Sequence, residues 1–209
     1  MTRSVTIFAM GQSANKHTEK MIRVESGMYR DIIQENFVDS YKNLSLKGIM
    51  WLKWATLHCP NAFYIVKVDD DIVVNIFNLA RHLATLNGMP VLREQGSKWF
   101  VSKNEVENDT YPPYCSGSAY IITNDFVPVL YRKSFRTKLV WVDDAYITGF
   151  LPAGLAFEHV NLASLYVLRH EEIEAKLAAG YALFGHSPTS VNSRIRLWKK
   201  ITAIRNIRL

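Results

Sequence analysis

The chain has 209 residues, of which 48% are hydrophobic, 12% aromatic and 21% charged, and these globular values exclude disordered and fibrous proteins. Its net charge of +6 lies entirely in residues 194–209, which contain six basic residues and no acidic one. Because the rest of the chain is neutral, we do not expect a protein-wide basic surface that binds nucleic acid.

Two cysteines, Cys59 and Cys115, are too few for a disulfide scaffold or for a zinc site of their own. They are expected either to form one bridge in an oxidising compartment or to remain buried thiols. The sequence has neither an apolar run of roughly 18 residues, which a membrane span needs, nor a signal-peptide pattern. Either the protein is cytosolic, or a targeting segment lies outside this chain.

The apolar pattern predicts strands that alternate with helices, which indicates an α/β fold in a single domain over residues 1–209. In chain order we expect a strand at 5–10, a helix at 15–30, short extended pieces at 31–33 and 37–39, a helix that ends near Cys59, a strand at 63–68, a helix at 76–86, a strand at 119–123, and helices at 125–132 and from 143. The spacing of Leu46, Met50, Trp54 and Leu57 predicts the apolar face of the second helix. The basic helix at 194–209 could lie on a membrane surface, but we favour packing of its apolar side chains against the domain.

Three consecutive carboxylates, Asp69, Asp70 and Asp71, directly follow the strand at 63–68. Ligands bind at the ends of strands in open α/β sheets, and adjacent like charges normally need a compensating cation. Carboxylate oxygens suit Mg²⁺ or Mn²⁺, and such an ion could bind the diphosphate of a nucleotide. The alternative is a solvated acidic turn.

A second acidic pair, Asp143 and Asp144, begins a predicted helix. The pair could simply complement the helix dipole, or one carboxylate could act as a general base beside a metal held by the first cluster. The aromatic loop at 111–117 is either a packed turn or a platform for a sugar ring. Asn43 and Asn108 each begin a triplet of the N-glycosylation type.

Seven blocks of sequence together resemble the β-1,3-galactosyltransferase family in their order and spacing. The blocks are residues 25–47, Lys53-Trp54 with Cys59-Pro60, 67–71, 98–101, 111–117 and 143–149, with a weaker one at 185–188. The resemblance implies a GT-A-like α/β fold, a mixed central sheet flanked by helices. It also implies an inverting transfer of galactose or N-acetylhexosamine from a UDP-sugar to a glycan hydroxyl on a glycoprotein or glycolipid.

The resemblance assigns roles to individual residues of this chain. Asp71 would be a direct Mn²⁺ ligand, His186 would complete the metal site, and Asp144 would be the catalytic base. The other matched positions are Asp69, Asp70, Lys67 and Gly117 on the donor side and Trp99, Tyr114 and Asp143 on the acceptor side.

Members of the family are typically Golgi membrane proteins that act in the lumen. Relative to the family, we expect this chain to be truncated before the strand at Val5, without the membrane anchor and the first strand. The alternative function is that of a non-catalytic carbohydrate-binding relative or an inactive fragment. Retention of Asp71, Asp144 and His186 favours catalysis.

Overall fold

The computed structural model describes residues 4–75, 101–160 and 162–205. Its helices and strands confirm the expected mixture of α and β structure. The elements are β1 (Phe8–Gln12), α1 (Lys16–Tyr29), β2 (Ile32–Val38), α2 (Leu44–His58), β3 (Tyr64–Val68), β4 (Ile72–Val74), β5 (Ala119–Thr123), α3 (Val127–Ser134), α4 (Asp143–Ala145), β6 (Tyr166–Val167), α5 (His170–Ala179), β7 (Phe184–His186) and α6 (Val191–Arg205). A π-helix, Tyr146–Phe150, continues α4.

These residues form two compact units. The first contains 4–65, 101–114 and 121–155, and the second contains 66–75, 115–120, 156–160 and 162–205. The single domain over 1–209 stays a prediction. The helix expected at 76–86 and the side chain of Trp99 lie outside the described residues.

In the first unit, β1 and β2 pair with each other in parallel, with Phe8 opposite Ile32, and α1 is the connection between them. The side chain of Asn15 caps the start of α1 by accepting hydrogen bonds from the backbone N–H groups of His17 and Thr18. β2 runs without a break from Ile32 to Val38. The expectation of two separate extended pieces here was therefore wrong: β2 pairs with β1 on both sides of an irregularity, with Met10 opposite Gln34 and Gln12 opposite Val38.

Helix α2 ends where predicted, but its buried face coincides only in part with the predicted one. Of the predicted face, Met50 is buried but Leu57 is 62% exposed, and burial extends to Ser45, Gly48, Leu52 and Ala55. A Cβ on Gly48 would lie 2.8 Å from Cδ1 of Ile147, so the small residues bring the helix close to its neighbour. Periodicity counted only the large apolar side chains and therefore missed this face.

The second unit contains a three-stranded sheet in the order β4-β7-β6, in which β7 pairs antiparallel with β4 and parallel with β6. Helices α5 and α6 cover it with a core that includes Val167, Ile173, Leu177, Leu197 and Ile201. Burial of the last two confirms the packed interpretation of the basic helix, which begins at Val191.

No disulfide joins Cys59 to Cys115, so the bridge offered as one alternative does not form in this structure. Cys59 ends α2, where its carbonyl oxygen accepts a hydrogen bond from Asn124 Nδ2, and burial raises the pKa of its thiol. Among the described helices, none has the length and apolar character that crossing a membrane requires.

Candidate functional site

The turn that follows β3 is fixed by Lys67. Its ammonium lies 2.5 Å from Asp69 Oδ1 and 2.5 Å from the carbonyl oxygen of Gly117. The backbone N–H of Asp69 donates to the carbonyl oxygen of Ser118 at 3.0 Å. One cation thus neutralises part of the charge in the triple-aspartate turn and ties that turn to residues 117–118. The structure therefore brings together three of the four residues expected on the donor side, Lys67, Asp69 and Gly117.

The antiparallel pairing of β4 with β7 brings Asp71 and His186 together. Ile72 lies opposite His186, and the N–H of Ser187 donates to the carbonyl oxygen of Asp71 at 2.5 Å. As a result, His186 Nδ1 lies 3.7 Å from Asp71 Oδ2, with the imidazole about one-third exposed and the carboxylate about two-thirds exposed. These are the two residues that the family resemblance assigns to the metal.

Asp71 and His186 fit a divalent cation by their donor chemistry and by their separation. Two bonds of about 2.1 Å to a common ion allow donor atoms to lie as far apart as about 4 Å, and these two atoms are 3.7 Å apart. The parts of the chain that the structure describes contain no group of three or more candidate ligands. The protein would thus hold such an ion through two side chains, with the remaining positions left for ligand or solvent oxygens.

Tyr166 on β6 is a residue of this site that sequence reasoning missed. Its ring lies 5.9 Å from the His186 ring in a T-shaped contact, and burial is the main reason why its pKa is raised. The negative charges of Asp71 and Asp69 raise that pKa further, while the Ser118 hydroxyl lowers it. A two-residue strand has no periodicity, so only its pairing with β7 could have revealed this position.

Asp143 and Asp144 form the first turn of α4, as expected. Asp144 Oδ1 accepts the backbone N–H of Ala145 at 2.8 Å, and Thr148 Oγ1 donates to the Asp144 carbonyl oxygen at 2.7 Å. The chain then widens into the π-helix, where the N–H of Leu151 donates to the Tyr146 carbonyl oxygen. Such wide turns occur frequently at functional sites.

The loop before residue 115 packs on this π-helix. A Cβ on Gly149 would lie 3.1 Å from Pro112 Cγ and 3.1 Å from Tyr114 Cβ, so a larger residue would require these neighbours to shift by a few tenths of an ångström. Tyr111 contacts the ring of Tyr114 at 5.6 Å and that of Phe150 at 6.1 Å. The loop is therefore a packed turn in the region 111–114, and its role toward a sugar stays a prediction.

Tyr114 and Asp144 are close enough to influence each other electrostatically. Burial raises the pKa of Tyr114 to about 12, and the charges of Asp144 and Tyr111 add to this rise. Tyr114 consequently remains a protonated hydrogen-bond donor at neutral pH. A neutral phenol therefore lies near the half-buried carboxylate of Asp144.

The two triplets of the N-glycosylation type differ in their surroundings. Asn43 Nδ2 donates to the carbonyl oxygen of Val38 at 2.8 Å, and Ser45 is buried with its hydroxyl donating to the Val140 carbonyl oxygen. These contacts give the first triplet a structural role. Asn108 lies on an exposed stretch, and its modification stays a prediction.

A sequence model of the galactosyltransferase family matches residues 1–163. The chain belongs to the galactosyltransferase family. It is 35% identical to beta-1,3-galactosyltransferase 1 of Mus musculus and of Homo sapiens, over 68% of this chain and 48% of each relative. It is 36% identical to the Homo sapiens UDP-GalNAc:beta-1,3-N-acetylgalactosaminyltransferase 1, over the same shares. The chain thus spans about half the length of these curated relatives. Family membership confirms the resemblance, while Tyr166 and His186 lie beyond the matched residues.

Proposed function

We propose that this chain belongs to an inverting β-1,3-hexosyltransferase with a GT-A-like fold and a Mn²⁺-dependent site. The enzyme would transfer galactose or N-acetylhexosamine from a UDP-sugar to a hydroxyl of a glycan on a glycoprotein or glycolipid. Family membership and the printed names of the relatives support the reaction class. The observation that carries the proposal is the approach of Asp71 to His186, two residues far apart in sequence, to 3.7 Å.

Asp71 and His186 would hold the cation, which would neutralise negative charge on the departing diphosphate. Lys67 restrains Asp69 by its ion pair, which keeps that carboxylate oriented for contact with the donor. Asp70 would face the donor sugar. These residues bind and orient the nucleotide, and none of them needs to form a bond with the sugar.

Asp144 would take the proton of the acceptor hydroxyl. As the proton leaves, the acceptor oxygen forms a bond to the anomeric carbon and the bond from that carbon to the diphosphate oxygen breaks. The leaving UDP keeps the electron pair, and a single displacement inverts the anomeric centre. Protonated Tyr114 lies near Asp144, and Trp99 and Asp143 would contribute to the acceptor side. One carboxylate base is therefore sufficient.

We further propose that the full-length enzyme acts on the lumenal side of the Golgi membrane. This placement follows from the resemblance to the family and from no segment of the described residues. A protein expressed with its lumenal part exposed in that compartment would encounter both nucleotide sugars and growing glycans.

Calorimetric titration of UDP in the presence of Mn²⁺ tests the metal site. Asp71→Ala removes one of two protein ligands and should abolish Mn²⁺-supported UDP binding, whereas replacement of the exposed Asp125 by alanine should leave it unchanged. Transfer from UDP-galactose and from UDP-N-acetylgalactosamine, measured separately, then identifies the sugar. Equal UDP affinity in the wild type and in Asp71→Ala would refute the proposed site.

A further inference from the structure

Tyr166 closes one side of the Asp71–His186 pair, and the mechanism proposed above does not use it. Parallel pairing of β6 with β7 places Tyr166 opposite Phe184, and the two rings stack at 6.3 Å between centroids with planes inclined by 29°. The next contact of the Tyr166 ring is with His186, at 5.9 Å and 76°. The imidazole therefore contacts both the Tyr166 ring and the carboxylate of Asp71.

The hydroxyl of Tyr166 is the second observation. Its oxygen is buried and, within the described residues, completes no hydrogen bond of good geometry. The Ser118 side chain lies close enough to hydrogen-bond this oxygen and so lowers its pKa, while the negative charges of Asp71 and Asp69 raise it. Buried hydroxyl groups are normally satisfied by protein, water or ligand. A hydrogen bond that lowers the pKa of a tyrosine is one that its oxygen accepts, so the Tyr166 O–H itself remains a donor without an assigned acceptor, near Asp71 and His186.

We propose that Tyr166 has two roles at this site: its ring positions His186, and its hydroxyl donates a hydrogen bond to an anionic oxygen of the bound ligand, such as a diphosphate oxygen. The proposal rests on the proposed function and adds a residue to it. The two roles are separable by mutation, since phenylalanine keeps the ring without the hydroxyl and leucine removes both.

The test uses the whole chain with Mn²⁺ alone and with UDP at saturating Mn²⁺. Tyr166→Phe should leave Mn²⁺ affinity within about twofold of wild type and weaken UDP binding by about tenfold, the size expected for one hydrogen bond to a charged group. Tyr166→Leu should also weaken Mn²⁺ binding by about tenfold, because His186 loses the ring that orients it. Tyr181→Phe is the matched control, since Tyr181 is 75% exposed in the same unit, and it should change neither affinity.

Unchanged UDP affinity in Tyr166→Phe would overturn the donor role, and unchanged Mn²⁺ affinity in Tyr166→Leu would overturn the positioning role. If Tyr166→Leu does not fold, NMR relaxation of the His186 ring in the metal-free wild type decides the second question. A ring as ordered as the backbone supports positioning, and a freely reorienting ring contradicts it.

A wild-type protein that binds Mn²⁺ and UDP without transferring sugar would contradict the proposed function while leaving the role of Tyr166 intact. Absence of Mn²⁺ binding in the wild type would overturn both.

Discussion

At the scale of single residues, Asp144 separates a catalytic role from a structural one. Its carboxylate accepts the N–H of Ala145, a contact that an asparagine oxygen can also make. Asp144→Asn should therefore keep the fold and Mn²⁺-supported UDP binding, yet lower the transfer rate by about 10²- to 10⁴-fold, because the amide cannot accept the acceptor proton.

Transfer rate and UDP affinity measured on the same protein preparation check this prediction. Asp143→Asn is the matched comparison and should cost less, since Asp143 would orient the acceptor and accept no proton. If Asp144→Asn transfers sugar at a near-normal rate, the base lies elsewhere and Asp144 only completes the helix start.

Lys67 provides a second test at this scale. Lys67→Met keeps the length of the side chain but leaves Asp69 and the Gly117 carbonyl without their common donor. Because Asp69 is partly exposed, we expect a loss of only about 1 kcal/mol in the free energy of unfolding. UDP binding should weaken severalfold, since Asp69 is no longer held. Urea denaturation measures the first effect, and Lys20→Met on exposed α1 should show neither effect.

The sequence predicted the pair Asp71 and His186 only through resemblance to a family. Three adjacent carboxylates are visible locally, but the approach of His186 depends on the register of β7 against β4. Tyr166 depends on the same sheet and lies in a two-residue strand, so neither composition nor periodicity could indicate it. Long-range strand register therefore limits what can be predicted for this site.

At the scale of elements, Gly149 controls how the aromatic loop meets the π-helix. An added Cβ would press on Pro112 and Tyr114 at 3.1 Å, and on the Pro113 carbonyl oxygen at 3.3 Å. Gly149→Ala should therefore destabilise the protein by about 1–3 kcal/mol, the usual cost of overpacking. It should also lower transfer, because Tyr114 shifts relative to Asp144.

Gly27→Ala is the matched control for this substitution. Gly27 lies within α1, and a Cβ there would have no neighbour within 4 Å. This change should raise the free energy of unfolding by about 0.5–1 kcal/mol, since alanine favours the helix. Thermal denaturation of both variants gives the comparison, and equal effects would show that the loop does not pack on Gly149 as described.

Helix limits were easier to predict than the faces that helices bury. Asn15 supplies a local capping signal, and α1 begins next to it. The buried face of α2 is set by Ser45, Gly48 and Ala55, small residues whose role becomes visible only when a neighbour such as Ile147 is in place. The π-helix likewise has no signal in the apolar pattern, and the preceding loop packs against it at Gly149.

At the scale of the whole molecule, the basic helix α6, in which most of the excess positive charge lies, packs in the second unit with the sheet that carries His186. Leu197 is buried in the core shared with Ile173 and Leu177 of α5, and those two side chains approach Gly185 of β7. The charged face of α6 is solvated, and one of its lysines, Lys200, pairs with Glu174. The helix thus supports β7, the strand that carries His186.

Leu197→Ala should therefore destabilise the second unit by about 2–5 kcal/mol, because it removes buried methyl groups and leaves a cavity. Leu57→Ala is the control: Leu57 is 62% exposed on α2, and its loss should cost less than about 0.5 kcal/mol.

Adding Mn²⁺ at about 100 times its dissociation constant should stabilise the wild type and Leu197→Ala equally, by about 2.7 kcal/mol, since each folded form retains the site. Asp71→Ala should gain no such stabilisation. Urea denaturation with and without Mn²⁺ measures all four proteins, and an equal loss of stability in Leu197→Ala and Leu57→Ala would contradict the role assigned to α6.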